Sequence, residues 1–164
     1  MDHDLVGQLF KKYYNDVLLY AMSLTRNASE AEDLVSEAFF KALAAVDDVK
    51  NFKAWILKVC RNLFLNKKRK RSKIVELSED ISSECDDVLQ QIVKDENYRA
   101  LYNAIGLLPQ NLKEVILLFY FEDMRVDAIS LIVGKSESNV KVMLYRGREQ
   151  IKQILATTQQ QAIL

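Results

Sequence analysis

The chain of 164 residues contains one proline and four glycines. Strands are bounded by turn clusters rich in those two residues, so their scarcity argues against a β-rich fold and for helices. It has one histidine, His3, close to the start, and two cysteines, Cys60 and Cys85, in no metal-ligand spacing. A metal centre therefore lacks its usual ligands, and a disulfide is not expected. Cys60 falls on an apolar helix face and reads as a buried thiol. No apolar run reaches the roughly 20 residues a membrane-spanning helix needs. The opening "MDHDLVGQLFKKYY" lacks a basic stretch followed by an apolar one, so it does not read as a signal peptide. These absences point to a cytoplasmic protein in a reducing compartment. Phosphate-binding loops, zinc-protease motifs and nucleophile elbows are missing too. The expectation is a protein that is not an enzyme, with no cofactor, no metal and no small-molecule substrate.

Net charge is also absent, because 23 basic residues balance 23 acidic ones. The balance is a cancellation between neighbours. "KKRKRSK", residues 67–73, carries six positive charges, whereas residues 74–97 carry one lysine against eight acids. Such asymmetry suggests a nucleic-acid partner or an acidic tether.

What is present is apolar residues, 49% of the chain, at helical spacing. Over residues 5–25 the stripe is Leu9, Phe10, Tyr13, Val17, Tyr20, Ala21 and Leu24. Asn27 and Ser29 can cap a second helix that runs to about Val46, with Leu34, Val35, Ala38, Phe39, Ala42 and Leu43 on one face. A third runs from Phe52 to Arg69 on Trp55, Ile56, Val59, Cys60, Leu63 and Phe64. Residues 73–97 are Ser-rich and acidic and read as a linker, helical in part near Val88 to Val93. Beyond it come a helix in "NYRALYNAIGLL", a helix opened by Pro109 that buries Leu112, Val115, Ile116 and Phe119, and a short helix with Val126, Ile129 and Ile132. The fold class is all-α: two small helical domains, residues 1–72 and 98–164, joined by an acidic linker at 73–97.

After "VGKS" Ser136 caps a final helix. Its inner side is Val140, Met143 or Leu144, and Ile151. Its outer side is Asn139, Lys141, Val142, Tyr145 and Arg146. A short helix, a turn with Gly134 and a second helix make a helix-turn-helix, whose second helix enters the major groove. Lysine and arginine suit phosphates or guanine, and asparagine suits adenine. Ser136 and the first amides of the helix can hold a phosphate. From this helix alone, a solvated amphipathic helix is the competing reading. Gly147 inside it costs about 1 kcal/mol relative to alanine.

Three stretches, in this order, resemble the extracytoplasmic-function (ECF) group of bacterial sigma factors. "LFKKYYNDVLLYAMSLTRNASEAEDLVSEAFFKAL" and "FKAWILKVCRNLFLNKKRKR" are similar to the two parts of region 2, and "LPQNLKEVILLFYFEDMRVDAISLIVGKSESNVKVMLYRGREQIKQIL" to region 4. The resemblance implies binding to core RNA polymerase through Asp33, Leu34, Glu37 and Phe40, with Ser36 where the family usually has glutamine. It implies capture of the promoter's −10 element around the loop at 47–52, through Asp48, Lys50 and Asn51, together with Asn62. The basic run of Lys67, Lys68 and Arg69 would add phosphate attraction. It implies −35 contacts from Ser136, Asn139, Lys141, Val142, Tyr145 and Arg146, with Val142 and Met143 departing from the usual pattern. Expected partners are core RNA polymerase, promoter DNA and an anti-sigma factor, which in many members is held at the membrane. Two alternatives are a free-standing helix-turn-helix regulator and a sigma-like protein that occupies polymerase without initiating. A metal site from Glu30, Asp33 and Glu37 is disfavoured, since no histidine supports it.

Overall fold

Val17 to Leu24 are buried without a break, so the second half of the first helix is covered on every side. A helix that is apolar all round belongs at the centre of its domain. The computed structural model describes residues 3–45, 51–72 and 89–163. Within them are seven helices and no strands: α1 (His3–Thr25), α2 (Ala28–Ala45), α3 (Phe52–Arg71), α4 (Glu96–Gly106), α5 (Gln110–Tyr120), α6 (Val126–Val133) and α7 (Glu137–Ile163). Residues 89–92 form one further helical turn, with Leu89 buried. The chain divides into two compact units, Met1–Ile92 and Val93–Leu164.

In the first unit α1, α2 and α3 all pack on one another. Arg26, with φ 55°, turns the chain between α1 and α2. Asn27 then caps α2, its Oδ1 accepting from the Glu30 amide at 2.9 Å. Ser29 lies inside the helix. Val35, Ala38 and Ala42 of α2 and Ile56, Leu57 and Cys60 of α3 are fully buried. Leu43, placed on the inner face by its spacing, is 39% exposed. An aromatic cluster ties the helices together: Phe39 meets Phe10 edge-on at 4.9 Å, and Phe52 lies about 6 Å from Phe39, Tyr13 and Trp55. Trp55 is half-buried in it. Asn51 opens α3 in the left-handed region, φ 59°, which asparagine tolerates better than most residues.

In the second unit α5 touches α4, α6 and α7. Leu112 through Leu118 are consequently all buried, not one face alone, while Phe119 is half-buried. Two boundaries differ from the sequence expectation. Asp95 and Glu96, assigned to the linker by their charge, start α4 instead, the Asp95 carboxylate accepting from the Asn97 amide at 2.8 Å. Pro109 stands one place before α5 in extended backbone, φ −54° and ψ 147°, and its carbonyl accepts the first helical bond, from Lys113 at 2.9 Å.

Candidate nucleic-acid and polymerase interface

The turn after α6 is set by Gly134, whose φ of 70° suits a residue without Cβ. Its amide donates to the Ser130 carbonyl at 3.0 Å and closes α6. Ser136 then opens α7: its Oγ accepts from the Asn139 amide at 3.1 Å and its carbonyl from the Val140 amide at 2.9 Å. Helix, turn and capped helix are thereby held in the helix-turn-helix arrangement. Val140, Met143, Leu144 and Ile151 are buried, so all four inner positions hold. Ser136, Asn139, Lys141, Val142, Tyr145 and Arg146 are exposed. Met143 cannot face a base, because it belongs to the core; Val142 can.

Gly147 is explained by packing. A Cβ there would stand 2.5 Å from Ile116 Cγ1 and 2.8 Å from its Cδ1. The missing side chain lets α7 approach α5 closely. The next residue, Arg148, is fixed across the same junction. Its Nε donates to the Tyr120 hydroxyl at 2.6 Å, and the guanidinium lies over the Phe119 and Tyr120 rings at 5.4 and 5.7 Å. Sequence reasoning left Arg148 out of the site. Its spacing from Lys141 and Tyr145, on one longitudinal stripe with Lys152, is the signal that was there to use.

On α2 the adjacent pair Phe39 and Phe40 splits: Phe39 is 4% exposed and Phe40 71%. Phe40 shares an outward face with Asp33, Ser36 and Glu37, all at least partly exposed. Leu34 does not share it. At 2% exposure it is a core residue, so the expectation of a partner contact from Leu34 is corrected: it stands three and four residues from the buried Ala31 and Ala38, on the stripe that faces inward. The acidic face is also not free-standing. Glu37 pairs with Lys67 of α3 at 2.9 Å and Glu30 with Arg71 at 2.9 Å. No cluster among the described residues has the make-up of a metal site.

The α3 tail therefore divides. Lys67 and Arg71 lean on α2, while Lys68, Arg69 and Lys70 are exposed. Asn62, Leu65, Asn66 and Arg69 line a shallow surface depression, and Arg69 Nη2 donates to Asn66 Oδ1 at 2.6 Å. Leu65 and Asn66 were not foreseen, although they stand three and four residues from Asn62, on its face of the helix. Asn51 is exposed, and its side chain makes no capping bond. Asp48 and Lys50 lie outside the described residues. Cys60 is buried among α1–α3, and burial pushes its thiol up to about 12, against the opposing charge of Lys67. No helix among the described residues is long and apolar enough to cross a membrane.

Residues 9–74 match the family described as Sigma-70 region 2, and residues 98–151 match Sigma-70, region 4. The ECF RNA polymerase sigma factor SigM of Bacillus subtilis is 31% identical over 154 residues, spanning 90% of this chain and 93% of its own. The RNA polymerase sigma factor SigV of the same organism is 31% identical over 134 residues, 80% of this chain and 79% of its own. Among solved structures, the sigma factor RpoE of Bartonella quintana, in complex with the anti-sigma factor NepR, is similar in fold. Its TM-score is 0.70 at 21% identity, over 92% of this chain and 96% of that one. CnrH in complex with the cytosolic domain of CnrY follows at 0.65, with 21% identity over 95% and 90%. With two region matches in order and relatives aligned along most of both chains, this protein belongs to the ECF group of RNA polymerase sigma factors.

Proposed function

We propose that the chain binds core RNA polymerase through the outer face of α2 and reads promoter DNA with α3 and α7, starting transcription without catalysing a reaction itself. The observation that carries this is a two-faced helix in each unit. α2 buries Leu34 and Phe39 while exposing Asp33 and Phe40, and α7 buries Val140 and Leu144 while exposing Lys141 and Arg146.

In this reading Asp33 and Glu37 meet basic residues of a polymerase helix, and Phe40 supplies the apolar anchor. Asn51 and Asn62 contact the unpaired −10 strand, and Asp48 and Lys50 contribute to the same recognition. Lys67, Lys68 and Arg69 attract phosphates. Ser136 and the amides beside it hold a −35 phosphate, while Asn139, Lys141, Val142, Tyr145 and Arg146 face the bases. The protein acts in the cytoplasm. An anti-sigma factor holds it inactive, by analogy with the complexes in which its structural neighbours were solved. A free-standing regulator would have no use for the exposed Phe40 face.

The test is co-elution with bacterial core RNA polymerase in gel filtration, with the Asp33→Ala/Phe40→Ala double variant beside it. Both side chains are exposed, so the fold should survive. Stoichiometric binding lost in the variant supports the assignment. Equal binding by the variant removes the α2 face from it, and no binding by either protein shifts the reading to a free-standing DNA binder.

A further inference from the structure

Between Asn139 and Arg146 the outer side of α7 is polar except at two positions, Val142 and Tyr145. Val142 is 45% exposed and Tyr145 64%. Tyrosine carries a hydroxyl that can give or take a hydrogen bond; valine carries nothing of the kind. Counting 100° per residue, Val142 stands nearly opposite the middle of the buried stripe formed by Val140, Met143, Leu144, Gly147 and Ile151. It is thus at the crest of the helix, where a groove floor would come nearest.

A single exposed apolar side chain is ordinary on protein surfaces. Val142 differs in its company. Lys141 precedes it and Arg146 follows one turn later, so an anion-rich partner is drawn onto this crest. A β-branched residue on an exposed helical surface also gives up some helix propensity compared with alanine or lysine. On the floor of the major groove one apolar feature is offered by the four standard bases, the C5-methyl group of thymine. An aliphatic side chain leaves every other base edge with an unmade hydrogen bond.

We infer that Val142 packs on the C5-methyl of a thymine in the −35 element and makes that position selective for thymine. This rests on the reading of α7 as the −35 reader. Deoxyuridine lacks only the methyl and keeps all of thymine's hydrogen-bonding groups, so it isolates the contact.

The experiment uses the full chain bound to core RNA polymerase. A promoter is first selected from a library randomised across the −35 region. Each thymine in the selected sequence is then replaced by deoxyuridine, one at a time, and binding is measured for the unaltered protein, Val142→Ala and Tyr145→Ala. The expected result is one position where deoxyuridine weakens binding about three- to fourfold, the change that losing one buried methyl group brings. Val142→Ala should lose that discrimination and Tyr145→Ala should keep it.

If no −35 sequence is enriched, the reading of α7 fails and this inference with it. If a sequence is enriched but holds no thymine, or deoxyuridine is neutral at every thymine, the −35 reading stands and the role of Val142 is wrong. The same holds if the penalty persists in Val142→Ala, or disappears with Tyr145→Ala alone.

Discussion

Replacing Gly147 by alanine should destabilise the second unit, although helix propensity by itself says the reverse. Alanine is favoured over glycine in a helix interior by about 1 kcal/mol. Here the added Cβ would meet Ile116 Cγ1 at 2.5 Å and Cδ1 at 2.8 Å. Carbon atoms in good contact stand about 3.5–4.0 Å apart, so roughly an ångström must be absorbed. Ile116 is fully buried and β-branched, so it cannot rotate away cheaply. Overpacking of this kind costs about 1–3 kcal/mol. The net loss should be about 1 kcal/mol, which speeds amide exchange through opening of the unit about fivefold. Native-state hydrogen exchange of α5 and α7 amides measures it, with α1–α3 amides as the internal control. In Ile116→Ala, which empties the space Cβ would enter, Gly147→Ala should become stabilising, a coupling of about 1 kcal/mol or more. A Gly147→Ala protein as stable as the parent, or effects that add without coupling, would refute the close-approach account. That outcome would leave the tilt of α7 on α5, and so the aim of its outer face, without an explanation.

Arg146→Ala should weaken use of the −35 element by roughly 1–3 kcal/mol if the arginine reads a base, measured as binding of the polymerase complex to matched and scrambled −35 sequences. Lys68→Gln/Arg69→Gln/Lys70→Gln should lower the slope of log K against log salt for single-stranded promoter DNA by roughly 2, at about 0.7 per phosphate contact. Lys67→Gln should change that slope less, because Lys67 already has Glu37 at 2.9 Å. Cys60 keeps its proton in the folded protein up to about 12, whereas the ordinary value is 9.0. The folded state therefore binds more protons in that window, and the first unit should lose stability as pH rises from about 9 towards about 12. Tyr14, raised by burial and by Glu32, acts in the same direction. Urea unfolding followed by the fluorescence of Trp55, the single tryptophan, should show a shallower pH slope for Cys60→Ala.

The helices were legible because their stripes have the helical period, and the capping chemistry at Asn27 and Ser136 was legible for the same local reason. Charge misled at Asp95 and Glu96. Acids that looked like tether start a helix, since the dipole at a helix N-terminus selects the same residue type as solvation does. Leu34 illustrates a different failure. A motif matched to a function names positions, but burial decides which of them a partner can reach. The close approach at Gly147, the Arg148–Tyr120 bond and the two α2–α3 ion pairs were illegible because the partners stand on another helix. No local pattern encodes a close approach between distant helices.

The ion pairs bear on how zero net charge coexists with DNA binding. A chain with 23 charges of each sign has no long-range pull on DNA as a whole, so attraction must come from how the charges are placed. Glu30 and Glu37 take up Arg71 and Lys67, while Lys68, Arg69 and Lys70 of the same tail stay exposed. Both members of the Glu37–Lys67 pair are 41% exposed, and a pair so exposed contributes at most about 1 kcal/mol. It is too weak to fix the tail by itself. The acids of α2 therefore offset two charges of the basic tail, and the rest of its positive charge is carried by the exposed Lys68, Arg69 and Lys70.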